Sequence, residues 1–340
     1  MAGAQRITVG VDLGGTKIQT AALRGRQIVG SIRVPTPQSG VAADVIEAIV
    51  GTIHTTLAQA GCDAGAIAGV GIGSPGEIDI AAGVVSRAAN VPGFSDSVRL
   101  GPLVAEALGD GVKVKIDNDV RVGVLGEHLA GAGRPYANML GVWLGTGVGG
   151  GLILDGKLHD GRGAAGEIGH MVVKPDGRKC GCGRRGCLEA YAGRARMELR
   201  AHKLVKSGQE TVLFDLMRKE GKQRLTSGTY AKALKFGDKL TEQLLADAAW
   251  ALALALASAQ NLLDLEAIVL GGGMGDKLGQ PFVDRVVKQM APHLFADDHP
   301  PVVLHTELGD LSGAVGAALL AGEAETQARR PATGWAASGR

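Results

Sequence analysis

Apolar and polar positions along the chain switch repeatedly between a two-residue repeat and a helical one. "ITVGVDL" (7–13), "TAAL" (20–23) and "IVGSIRV" (28–34) predict three successive strands, the first two joined by a glycine turn. Residues 41–60 carry helical spacing, and "IAGVGIG" (67–73) returns as an apolar strand. "VKVKI" (112–116) predicts another strand, running into "DNDV" and a helix over about 120–130. A second series opens with "MLGVWLGTGVGGGLILDG" (139–156), again strand, glycine turn and strand. A helical stretch over about 239–263 leads to the strand "EAIVL" (266–270) and the turn "GGGMG" (271–275). The strand "VVLHT" (302–306) and the small-residue helix "SGAVGAALLAG" (312–322) close the pattern.

"VGVDLGGTKI" (9–18) and "GVWLGTGVGG" (141–150) each set a Gly/Thr turn straight after an apolar strand. This echo predicts an α/β protein of two related halves, each offering a glycine hairpin to a shared cleft. The expected division is a smaller N-terminal domain, 1–118, with the helix at about 312–322 packing back onto it, and a larger domain, 119–311. Residues 323–340 are polar and rich in Arg and Ala, and are expected to form a disordered tail.

Composition narrows the function. Aromatics are 3% of the chain and the formal net charge is +2, so neither base stacking nor a broad electrostatic surface for nucleic acid or membrane is expected. The apolar run from Ala248 to Ala259 is shorter than the roughly 20 residues that span a bilayer, and predicts a buried helix. No charged-then-apolar leader precedes Ile7, so a reducing cytoplasm is expected. The 54 glycines gather in turns, where they let backbone approach a ligand.

Those turns have two readings. In "DLGGTK", Gly14 and Gly15 can turn amides toward a phosphate, Thr16 adds a hydroxyl, and Asp12 can hold Mg²⁺ through water. The alternative is a plain hairpin, and Lys17 is equally readable as a phosphate contact or a solvated residue. The stretches Gly71–Gly76 and Gly145–Gly150 both satisfy GxGxxG, yet neither opens a helix as a dinucleotide fingerprint must. No Gly-Lys pair is followed by Ser or Thr, so there is no Walker A motif.

Three of the four cysteines fall within "HMVVKPDGRKCGCGRRGCLEAY" (170–191). In a reducing compartment such a cluster favours metal or redox work. Cys62 is remote from it and reads as an ordinary buried thiol, and Arg184 and Arg185 read as solvated.

"VGVDLGGTKI", "GSPGEID", "NVPGF", "DNDV", "GTGVGGG", "GEIGHMVV", "CGCGRRGCLEAY" and "IVLGGGM" together resemble the ROK family of repressors and sugar kinases, and most of all its bacterial glucokinases. The resemblance covers nearly the whole chain. It implies the actin-like (hexokinase- or ribonuclease H-like) ATPase fold, with two α/β domains around a cleft. It implies one structural zinc on His170, Cys180, Cys182 and Cys187, and three thiolates with one imidazole make a closed tetrahedral set with no position for water. It also implies ATP at the turns Asp12–Lys17, Gly145–Thr146–Gly147 and Gly271–Gly272–Gly273, a sugar held by Asn90, Asn118, Asp119, Glu167, His170 and Glu189, and a homo-oligomer, dimer or tetramer.

Phosphoryl transfer to an alcohol needs a carboxylate to accept the hydroxyl proton. By the resemblance that base is Asp119, with Asp117 supporting it from behind; from the residues alone Asp119 could equally cap the following helix. Arg121 departs from the family, whose glucokinases often carry a small polar residue there, and puts a cation within one turn of the expected base. The expected activity is ATP-dependent phosphorylation of glucose to glucose 6-phosphate. N-acetylmannosamine, mannose and fructose are the alternative substrates, and a non-enzymatic sugar-binding regulator the alternative class. ROK repressors carry a winged helix before the first glycine motif, whereas about eleven residues precede Asp12 here.

Overall fold

The computed structural model describes residues 6–109 and 111–329, with side chains described as far as 322. The described residues divide into two compact units, those up to 129 together with those from 311 onward, and residues 130–310.

In the first unit, β1 (Ile7–Leu13), β2 (Lys17–Arg24) and β3 (Gln27–Pro35) form an antiparallel meander. Helix α1 (Ala42–Gln59) then leads to β4 (Ile67–Ser74), which pairs parallel to β1. A short hairpin, β5 (Glu77–Asp79) and β6 (Val84–Ser86), and helix α2 (Leu100–Leu108) precede β7 (Val114–Asn118), parallel to β4. β7 runs without a loop into α3 (Asp119–Ala130). The sheet order is β3-β2-β1-β4-β7.

The second unit repeats that plan. β8 (Met139–Leu144), β9 (Val148–Leu154) and β10 (Lys157–Leu158) form a meander, followed by α4 (Glu189–Ala192), α5 (Arg194–Lys206), α6 (Leu213–Lys219), α7 (Ser227–Lys235) and α8 (Lys239–Leu263). β11 (Ala267–Gly271) pairs parallel to β8; α9 (Gly272–Leu278), α10 (Gln280–Met290) and β12 (Val302–His305) follow. The order β10-β9-β8-β11-β12 matches the first sheet position for position. The echo between residues 9–18 and 141–150 is therefore an echo of whole sheets.

The last helix, α11 (Ser312–Arg329), packs on β1, β2 and β4 of the first unit. Alternation along β1 explains how. Val9, Val11 and Leu13 face a core shared with Ile49 and Ile53 of α1, each buried side chain contributing about 1.5–3 kcal/mol. On the other face, a Cβ at Gly10 would lie 1.9 Å from the carbonyl oxygen of Ala314, and one at Gly71 would lie 1.8 Å from that of Ala317. These glycines let a helix of small residues sit directly on the sheet, so Gly71 of the first GxGxxG stretch is a packing residue.

Helix α8 is long and apolar enough, by length and composition, to cross a membrane. Here Leu244, Leu245, Leu252 and Leu256 are all buried in the core of the second unit, as the apolar run predicts. Strand β7 lies two residues later than the pattern suggests, because pairing with β4 extends to Ser74↔Asn118. Helix α11 runs to Arg329, covering part of the expected tail, whose residues 330–340 lie outside the described residues.

Candidate active site

In the first unit, parallel pairing aligns the carboxyl ends of three strands: Asp12 lies opposite Gly73, and Ser74 opposite Asn118. Loops leaving this edge carry the predicted residues. Asp12 is half-buried, its carboxylate carbon 2.7 Å from where a Cβ on Gly313 would stand. The Gly14 amide donates to the carbonyl of Lys17 (2.9 Å), and Thr36 Oγ1 donates to the carbonyl of Gly14 (2.6 Å). The Gly14 N–H thus closes the turn, while Gly15 serves close approach: its Cβ would meet the Asn90 carbonyl oxygen at 1.9 Å. The "NVPGF" loop therefore rests on the first glycine turn, with Asn90 exposed. Thr16 is exposed and Lys17 half-buried.

Asp119 is the first residue of α3 and half-buried, its Oδ1 accepting from the Val120 amide (3.0 Å). The helix end is also capped by Asn118, whose Oδ1 accepts from Val120 N (3.0 Å) and Arg121 N (3.3 Å). With its oxygen so engaged, Asn118 has its amide N–H₂ to offer a ligand. Behind both, buried Asp117 accepts from Asn118 N (2.7 Å) and from Arg121.

In the second unit, Trp143 of β8 pairs with Gly271 of β11. The turns Gly145–Thr146–Gly147 and Gly271–Gly272–Gly273 consequently leave adjacent strand ends. Gly272 has a positive φ, and its Cβ would stand 2.8 Å from Leu144 N, so only glycine suits this turn. Two residues outside the predicted site set join them. Arg194 donates to Thr146 Oγ1 (2.9 Å), and burial pulls its pKa below the ordinary arginine value. The Ser227 hydroxyl is buried with no hydrogen-bond partner among the described residues, 3.2 Å from a Cβ position on Gly273. Ser227 falls in the "LTS" segment (225–227) shared with bacterial glucokinases, but its role, like that of Arg194, is not legible in sequence because each reaches the turns only through tertiary packing.

The predicted metal cluster is assembled: donor atoms of His170, Cys180, Cys182 and Cys187 all lie within 4.8 Å of one another. Cys182 Sγ and Cys187 Sγ are 3.8 Å apart, and Cys180 Sγ is 3.9 Å from His170 Nδ1. A tetrahedron with Zn–S bonds of about 2.3 Å has edges of about 3.8 Å, so the donor set fits zinc. The four cysteines form no disulfide. Burial raises the Cys180 thiol to about 12, whereas the Arg184 backbone amide brings Cys182 down to about 7. Cys62 is half-buried, its thiol 3.5 Å from the Ala60 carbonyl.

His170 Nε2, the ring nitrogen turned from the cluster, is 4.0 Å from Glu167 Oε2, and Glu167 is exposed. Glu189 sits between cluster and turn. Its Oε1 is 3.4 Å from Cys180 Sγ, while its Oε2 accepts from Val148 N (3.2 Å) and lies 2.4 Å from a Cβ position on Gly147. Gly147 thus leaves room for the carboxylate that joins the cysteine loop to the second glycine turn.

Comparison with known proteins agrees with this arrangement. The chain is 34% identical over 325 residues to the glucokinase of Halalkalibacterium halodurans, covering 93% of this chain and 95% of that one. It is 31% identical over 323 residues to the N-acetyl-D-glucosamine kinase of Vibrio cholerae, covering 92% and 98%. Among solved structures, a ROK family glucokinase from Streptomyces griseus in complex with glucose and AMPPNP superposes with a TM-score of 0.76 at 30% identity, covering 93% of this chain and 99% of that one. Residues 8–324 match the ROK family, to which this chain therefore belongs.

Proposed function

We propose that the protein is an ATP-dependent glucokinase that makes glucose 6-phosphate. What carries the reading is the end-to-end likeness to glucokinases, one of them solved with glucose and an ATP analogue. The Asp119 carboxylate accepts the proton of the sugar 6-hydroxyl as that oxygen attacks the γ-phosphorus. The bond from phosphorus to the ADP oxygen breaks, and ADP leaves. Asn118 donates its side-chain N–H to a sugar hydroxyl, and Asn90, Glu167, His170 and Glu189 hold the others. The turns at Gly14–Lys17, Gly145–Gly147 and Gly271–Gly273 bind the nucleotide, with Arg194 and Ser227 added to the predicted set.

Asp12 would hold Mg²⁺, which supplies charge neutralisation on the phosphates. His170, Cys180, Cys182 and Cys187 would hold a zinc that fixes the sugar-binding residues relative to one another. With four protein donors the set is closed, so the metal is structural. The reading implies a cytoplasmic homo-oligomer, dimer or tetramer, checked by light scattering.

The second reading is an N-acetylhexosamine kinase, with N-acetylmannosamine or N-acetylglucosamine as substrate, since N-acetyl-D-glucosamine kinases match over the same span. Coupled ADP-release assays against glucose, mannose, fructose, N-acetylmannosamine and N-acetylglucosamine separate the two. The highest kcat/KM is expected on glucose, and turnover of N-acetyl sugars alone would overturn the proposal.

A further inference from the structure

Between the cysteine loop and helix α5, the second unit holds a cavity of about 770 Å³. Six cationic side chains line it, Arg178, Lys179, Arg185, Arg196, Arg200 and Lys203, and no carboxylate among the described residues does. The chain as a whole is nearly balanced, with 36 Lys and Arg against 34 Asp and Glu. The concentration of charge is therefore local. Arg196, Arg200 and Lys203 stand at helical spacing on α5, where like charges four apart repel. The loop then brings three more cations against that face instead of the acids that would relieve it.

Of the six, only Arg178 has an ion-pair partner among the described residues, Asp247, and its guanidinium lies 4.6 Å over the Tyr191 ring. Even so, Arg178 Nη1 is buried with no hydrogen-bond partner among the described residues, and so is Arg200 Nε. Buried guanidinium N–H groups are normally satisfied. Their planar fork matches the oxygens of a phosphate.

We propose that this cavity binds a small phosphate-bearing anion at a site separate from the residues assigned above to sugar and nucleotide. Its volume lies within the roughly 300–1,000 Å³ typical of small-molecule sites, whereas a nucleic acid is met by an extended groove that tracks the backbone. Arg185, solvated by the sequence reading, becomes part of the lining. The cavity also touches the cysteine loop: Arg196 Nη2 lies 2.5 Å, and Glu189 Oε1 3.5 Å, from a Cβ position on Gly181. An anion drawing on Arg196 therefore acts next to the carboxylate that bridges loop and turn.

The test is calorimetric titration of the full chain with inorganic phosphate, pyrophosphate and glucose 6-phosphate, beside the double variant Arg185→Ser/Lys203→Ser. Both substituted residues are exposed and outside the proposed catalytic machinery, so the variant keeps its zinc content and its kcat on glucose. Leu199→Glu, at a half-exposed lining position, places a carboxylate in the cavity as an independent variant. Expected is a site for at least one of the three anions that weakens ten-fold or more in both variants. The arm that binds tightest tells free phosphate or oligophosphate from a sugar phosphate. Equal affinities in wild type and variants, no binding up to millimolar anion, or binding of a DNA duplex alone would each overturn the proposal.

Discussion

Arg121 of α3 grips Asp117 of β7 with two parallel hydrogen bonds, Nε to Oδ1 at 2.8 Å and Nη2 to Oδ2 at 3.2 Å, and both side chains are buried. The same Asp117 Oδ1 accepts from the amide of Asn118, next to the proposed base. The pair thereby anchors the junction of β7 and α3. Replacing Arg121 by Asn leaves a buried carboxylate without its partner, at a cost of about 3–5 kcal/mol. Chemical denaturation is expected to show that loss, with kcat falling alongside it. Arg121→Lys is expected to recover less than half of the stability, because an ammonium cannot reproduce the paired geometry.

Asp119→Asn separates chemistry from folding. The amide oxygen still accepts from Val120 N, so the melting temperature should stay within a few degrees. Without a base, kcat should fall about 10²–10⁴-fold with little change in the KM for glucose. Activity near wild type would remove Asp119 from its assigned role.

Metal content offers a third check. About one zinc per chain is expected by elemental analysis. Cys187, fully buried, is the most informative ligand to change. Cys187→Ser should lose the zinc, a large part of the thermal stability and the activity together, since binding free energy at a structural site is folding free energy. A zinc-free, folded and fully active protein would refute the assignment.

Much of this was legible in the chain. Strand-turn-strand patterns marked both sheets, the small-residue run marked α11, and the clustering of three cysteines, with His170 added by the family resemblance, marked the metal cluster. What escaped depends on partners distant in sequence. Nothing near Ser227 or Arg194 indicates that they meet the glycine turns. The resemblance offers Glu189 as a candidate sugar ligand, but its hydrogen bond to Val148 N spans 41 residues and has no sequence signal. The glycines misled most, because composition cannot separate one that approaches a ligand from one that approaches a helix.

Gly71 tests that distinction. Its added Cβ would overlap the Ala317 carbonyl, so Gly71→Ala must push α11 off the sheet. Overpacking of this kind costs typically 1–3 kcal/mol. The melting temperature should fall by several degrees while zinc content is unchanged. Gly25→Ala is the control: nothing lies within 4 Å of its Cβ position, although its φ of 66° adds a modest strain.

Asp238 gives a prediction for pH. It is buried at the N-cap of α8, and its carboxylate accepts from Thr241 N and Val212 N, both at 2.7 Å. Burial works to raise its pKa, but these amides outweigh it and leave the group below the ordinary carboxylate value. A carboxyl with a depressed folded pKa stabilises fully above its unfolded value, near 3.9, and loses that contribution as pH falls through the folded value. Asp238→Ala should therefore cost about 0.5–2 kcal/mol at neutral pH, the usual range for a lost cap. In urea unfolding, the gap between wild type and variant should hold from about pH 7 to 5 and narrow below about pH 4. A gap of equal size at pH 3 and pH 7 would show that the charge on Asp238 contributes nothing to holding α8 in place.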